Sequence, residues 1–170
     1  MKKFKNRDFY GEYKFLMSDI LSNEKLKRLD GYKQHYKCTR LKHSVDVSYY
    51  SFYIAKLLNL DYMSAAKAGL LHDLYFDEKT KETTLREKIR MLRRHPQDAL
   101  KNASEICELN EIERNAILRH MWLVTIRPPK YKEGFIVSFV DKYCASKEFL
   151  SSVFLKNSAV KSRARMLKFY

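Results

Sequence analysis

An all-α, single-domain bundle of about six to eight helices is the fold this sequence predicts, on three observations. The chain has 170 residues, long enough for one sizeable core. It holds only 4 glycines and 3 prolines, so few turns interrupt it, and long helices are favoured over many short strands. Apolar residues recur at helical spacing along most of its length. Hydrophobic residues at 45% and charged residues at 32% describe a globular chain rather than a disordered one.

The elements follow in order. Phe9, Tyr13, Leu16, Met17, Ile20 and Leu21 mark an N-terminal amphipathic helix over 7–21. Residues 22–39 are polar and basic and read as a short helix or loop. A second helix covers 40–58, with Leu41, Val45, Phe52, Ala55 and Leu58 along much of one face. Asp61 can cap the next helix, which carries Ala65, Ala68 and Leu71 up to His72. Residues 75–83 form a charged connection. Thr84 and Glu87 then match a capping box, in which hydroxyl and carboxylate satisfy orphan amides reciprocally. Pro96 disfavours the helical conformation at His95, so that helix is expected to stop there. Pro96 would then sit in the first turn of a further helix carrying Ala99, Leu100, Ala103, Ile106 and Cys107. Asn110 and Glu113 start another, with Ile112, Ala116, Ile117 and His120 on one side.

Arg127, Pro128, Pro129 and Lys130 make a break. The β-branched content of 135–145 permits a strand, but a lone strand has no partner, and a buried helix is the better reading. The basic segment 156–170 is either a docked last helix or a frayed end. With no repeat, low-complexity block or boundary, one domain is expected over 1–170, its core at about 36–147.

The formal net charge of +14 predicts attraction to anions: nucleotides, nucleic acid or an acidic surface. Basic stretches at Lys25, Lys27 and Arg28 and at Lys161, Arg163 and Arg165 are candidates for meeting phosphates. Cys38, Cys107 and Cys144 are widely spaced and include no C-x-x-C pair, which points to reduced thiols in a cytoplasmic protein. No apolar run follows the basic start Met1, Lys2 and Lys3, which argues against a signal peptide. No run approaches ~18 apolar residues, so no membrane span is expected. Nothing sets an oligomeric state.

The adjacent pair His72 and Asp73 closes the apolar stretch 65–71. A carboxylate inside an apolar run is costly unless a charge compensates it, and a divalent cation does that well. His43 lies upstream; His95, His120 and Asp141 follow, each on or beside its own apolar segment. Asp141 is the sharpest case, with Phe135, Ile136, Val137, Phe139 and Val140 before it and Tyr143, Cys144 and Ala145 after. His35 sits in a polar, basic stretch and reads as non-ligating. Imidazole and carboxylate donors suit Fe, Mn, Co, Ni or Zn. Neighbours on a helix point about 100° apart, so His72 and Asp73 cannot share one ion in mid-helix but can at a helix end. Asp73 has two oxygens and can bridge two ions.

Histidine, then His-Asp, then two spaced histidines, then a distal aspartate resembles the HD superfamily of metal-dependent phosphohydrolases. The local text is similar too: Arg40, Leu41, Lys42, His43 and Ser44; Gly69, Leu70, Leu71, His72 and Asp73; His95 and Pro96. The resemblance implies an all-α core of about five helices around a metal site. It implies that His43, His72, Asp73 and Asp141 hold one ion, and that Asp73 bridges to a second completed by His95 and His120. One position departs from the family. Phe76 stands three residues after Asp73, where cyclic-dinucleotide phosphodiesterases usually carry lysine and simple nucleotidases often carry glutamate. Asp77 is then a candidate proton donor.

Three functions are open on these residues. The first is a hydrolase that cleaves a phosphoester or phosphoanhydride of an anionic, nucleotide-like small molecule with metal-activated water, using two divalent ions. There Asp73 and Arg40 would serve catalysis, and Arg40, Arg119, Lys142, Trp122 and Asp77 would contact substrate. Arg40 precedes His43 by one helical turn, so it can face the same way and chelate phosphate. Trp122 could stack a base. The second is a di-iron oxygenase similar to myo-inositol oxygenase, using the same six ligands on a small polar or phosphonate substrate. The third is a basic nucleic-acid-binding module with a degenerate site.

Overall fold

The computed structural model describes the backbone of residues 8–35, 38–76 and 84–166, and the side chains of these apart from 34, 35, 85, 88 and 152–166. Eight α-helices carry the fold among them: α1 (Phe9–Leu16), α2 (Ser18–Ser22), α3 (Glu24–Lys27), α4 (Arg40–Leu57), α5 (Tyr62–Leu71), α6 (Leu85–Ser104), α7 (Glu111–Arg119) and α8 (Lys132–Met166). No helix is long and apolar enough to cross a membrane among the described residues.

The N-terminal segment is two helices rather than one. Ser18 Oγ donates to the Phe15 carbonyl at 2.8 Å, taking a group the next turn would use, and the chain breaks at Met17. Between α3 and α4 comes a 3-10 turn, Arg28–Gly31, and then two short antiparallel strands, β1 (Lys33–His35) and β2 (Cys38–Thr39). The turn and α3 anchor this connection by burying Leu26 and Leu29. Among the described residues the strands pair only with each other, and the architecture is all-α.

α5 is the centre of the bundle. Asp61 caps it, accepting from Ser64 N at 3.0 Å. Ser64, Ala65, Ala66, Ala68, Gly69, Leu70 and Leu71 are all buried, the pattern of a helix covered on several sides. It packs most extensively on α4, and also on α7 and α8. The face α4 turns inward is not the one the leucines mark. His43, Ser44, Val47, Ser48, Ser51, Phe52 and Ala55 are buried, while Leu41 and Val45 are half-buried and Leu58 is exposed. Small hydroxyl side chains let the two helices come close: a Cβ on Gly69 would lie 3.0 Å from Ser48 Cα. Ser48 Oγ then donates to the Ala66 carbonyl at 2.7 Å.

α4 ends in a Schellman motif. Asn59 takes φ 55°, Leu60 N donates to Ala55 O at 2.9 Å, and Asn59 N to Lys56 O at 3.3 Å. Both capping boxes are present, Thr84 with Glu87 and Asn110 with Glu113. The expected stop at His95 is overturned: α6 runs through Pro96 to Ser104. Proline removes the bond to the Leu92 carbonyl, but Leu92 lies on the exposed part of α6, where water can take that bond. Burial of Ala99 and Ala103 holds the helix on beyond it. Segment 135–145 is helical, as expected, and buries Ile136, Val137, Val140 and Cys144. The basic C-terminal segment is no separate element: α8 continues without a break to Met166.

Candidate metal centre

Four helices and the turn after α5 deliver the six side chains to one place. His43 comes from the first turn of α4, His72 and Asp73 from the end of α5, His95 from the middle of α6, His120 from the end of α7, and Asp141 from α8. His43, His72, Asp73, His95 and His120 are buried, and the Asp141 side chain is 13% exposed. His72 is the C-cap of α5, so the two neighbours lie at a helix end, where both can point inward.

The six donors fall into two groups that share Asp73. One atom each of His43, His72 and Asp73 lie within 4.8 Å of one another, and so do atoms of Asp73, His95 and His120. Asp141 Oδ1 joins the first group, 3.0 Å from His43 Nε2 and 3.6 Å from His72 Nε2. Asp73 divides its oxygens: Oδ2 is 3.6 Å from His72 Nε2, while Oδ1 is 3.6 Å from both His95 Nε2 and His120 Nε2.

Backbone carbonyls set the tautomers. His72 Nδ1 donates to Gly69 O at 2.8 Å, His120 Nδ1 to Ile117 O at 2.7 Å, and His95 Nδ1 to Met91 O at 3.3 Å. Each Nε2 is left with its lone pair turned inward. Two observations test whether cations fit this arrangement. His72 Nε2 is buried without a hydrogen-bond partner among the described residues. The Nε2 atoms of His95 and His120 face each other at 2.9 Å, and two lone pairs at that distance repel unless a cation lies between them. The donor set and its orientation fit divalent ions.

The ion-free electrostatics divide the same way. Burial works against a charged His43, but its hydrogen bonds to Asp141 and Glu148 overcome this and raise it to about 10. Burial pushes His120 down to about 4, helped by His72, and it lowers His95 as well. Burial also opposes ionised Asp73 and Asp141, yet the His72 ring beside Asp73 and the His43 and His72 contacts to Asp141 hold both carboxyls below their usual range.

The other candidate residues are placed differently. Arg40 is buried, and its Nη1 donates to the Tyr75 carbonyl at 2.7 Å. Its guanidinium stacks 3.9 Å over the Tyr75 ring, which leans on His95 at 5.0 Å between centroids. Arg40 is thus built into the wall beside His95. Lys142 Nζ donates to His120 O at 2.8 Å and to Ser138 O at 3.1 Å, and lies 3.6 Å from Asp141 Oδ2. It braces the segments that carry His120 and Asp141. Trp122 is half-buried and packs edge-on against Phe135 and Phe139, at 4.9 and 5.6 Å. Arg119 is half-buried at the end of α7. Phe76 packs on Tyr32 and under Arg28.

Asp77, the His35 side chain and those of Lys161, Arg163 and Arg165 lie outside the described residues. In the other basic stretch, Lys25 pairs with Glu105 at 2.6 Å and Lys27 with Glu24 at 2.7 Å. One residue in contact with this cluster was not singled out from the sequence. Glu148 Oε1 accepts from His43 Nδ1 at 2.9 Å. Its spacing of seven from Asp141 on one helix was the available signal.

The family model of the HD domain matches residues 40–146, more than half of the chain. No curated protein and no solved structure matches it.

Proposed function

The chain belongs to the HD-domain family, whose members are metal-dependent and generally hydrolytic; from that premise we propose that it is a phosphohydrolase acting on an anionic, nucleotide-like compound. The single observation that carries the reading is the division of Asp73 between two donor groups, one oxygen toward each. In this reading His43, His72, Asp73 and Asp141 hold one divalent ion, and Asp73, His95 and His120 hold a second. When bound, the ions activate water at neutral pH and take up charge on phosphate oxygens.

The chain's own groups prepare that chemistry. The carbonyls of Gly69, Ile117 and Met91 fix three imidazoles in the ligating tautomer before any ion arrives. Arg40 holds Tyr75 against His95, and Lys142 ties His120 to Asp141 across α7 and α8. The excess of positive charge on the whole chain draws an anionic substrate inward. Arg119 is the cation we assign to its phosphate. A metal assay followed by a nucleotide screen, run aerobically and anaerobically, tests the reading. Phosphate release without oxygen uptake is the expected result. Oxygen uptake with no hydrolysis would replace the hydrolase with the di-iron oxygenase.

A further inference from the structure

Three of the four histidines in the cage are oriented by backbone carbonyls; His43 is not. Its Nδ1–H donates to Glu148 Oε1 at 2.9 Å, while its Nε2 is 3.0 Å from Asp141 Oδ1. Both carboxylates come from one face of α8, two turns apart, so a single helix grips the ring from both sides. The His43 side chain has no exposure, and those of Glu148 and Asp141 have 13% each. Glu148 also touches Cys38, whose thiol is pushed up to about 12 by burial and then by this carboxylate. The carboxylate is therefore held in a built position between β2 and α4, not on a mobile surface side chain.

We propose that Glu148 is the outer carboxylate of this metal centre, a positioning residue that makes the half bounded by His43, His72, Asp73 and Asp141 the tighter of the two. This rests on the proposed two-ion reading. A carboxylate behind an imidazole fixes the ring and raises its donor strength more than a neutral carbonyl does. The same half also has two carboxylates facing the ion position, against one in the half of His95 and His120. Charge and orientation thus favour the same half, and the ions should enter in order: first beside His43, then beside His95.

The test is calorimetric titration of the chelator-stripped full chain with Mn2+ and with Zn2+, without substrate. Wild type should show two unequal sites. Glu148→Ala should weaken the tighter one by about 10–100-fold and leave the weaker within about twofold. Glu148→Gln, whose amide oxygen still accepts from Nδ1–H, should keep the ring's orientation and lose less. It also serves as the near-isosteric variant if Glu148→Ala fails to fold. His95→Ala should remove only the weaker site. Unchanged tight binding in both folded Glu148 variants would overturn the proposal while leaving the cage intact. A change confined to the weaker site would overturn it as well. A wild-type chain that takes up neither ion would overturn the metal reading itself.

Discussion

His43 and His72 stand on helices packed into the core, whereas His95 stands where α6 leaves it. Around the first pair, α4 and α5 meet through serine, alanine and glycine, with backbone in near contact at Gly69 and Ser48. On α6, every described side chain before His95 is exposed, including Ile89, Met91 and Leu92, and burial begins at His95 itself. One half of the metal centre therefore inherits the rigidity of the core. The other depends on a helix anchored at its far end by Ala99 and Ala103. Local opening draws on the least packed elements, so the His95 half should be the first to loosen.

The largest effect should come from the one residue both halves share. Asp73→Ala is expected to abolish binding of both ions and all hydrolysis, read by metal content after desalting. Full occupancy in that variant would remove the basis for bridging. Next is the rigid half's packing. In Gly69→Ala the new methyl meets Ser48 and Val47 backbone at 3.0–3.2 Å, which cannot rotate away. It should cost about 1–3 kcal/mol in urea denaturation. The Gly69 carbonyl that orients His72 would shift with it, so metal affinity should fall too.

The halves should also part company with pH in the ion-free protein. The folded pKa of His43, about 10, lies above its ordinary value of 6.5. Its contribution to stability is full below about 6.5 and is lost as pH rises to 10. His120, at about 4, is the reverse: the unfolded chain takes up a proton that the folded one refuses, so stability is lost as pH falls from 6.5 toward 4. Thermal melts of His43→Ala should flatten the alkaline limb, and those of His120→Ala should soften the acid one. The smallest effect belongs to the surface. Lys130 pairs with Glu111 at 2.9 Å with both side chains mostly exposed, and Lys130→Ala should leave the thermal melt unchanged.

The sequence displayed the helices more clearly than their inward faces. Capping boxes are local, and Thr84 with Glu87 and Asn110 with Glu113 formed as the residue types dictate. Only part of the buried face of α4 was legible: Phe52 and Ala55 marked it, but close helix packing selects Ser44, Ser48 and Ser51, which look like surface residues. Pro96 misled for a related reason: its preference is local, and tertiary burial from His95 onward, at Ala99 and Ala103, outweighed it. The six clustered side chains were visible because histidine and aspartate in apolar text are costly without a compensating charge. Arg40 and Lys142 were visible as cations, but not as braces, since which carbonyl a long side chain reaches is decided by the fold. Glu148 went unseen for the same reason: its partner lies 105 residues away.

The most direct test is anomalous diffraction from crystals of the metal-loaded chain, which counts the ions and places them. Two peaks are expected, both in contact with Asp73, one among His43, His72 and Asp141 and the other between His95 and His120. A single peak, or two of which either does not touch Asp73, would contradict the shared carboxylate on which the whole account depends.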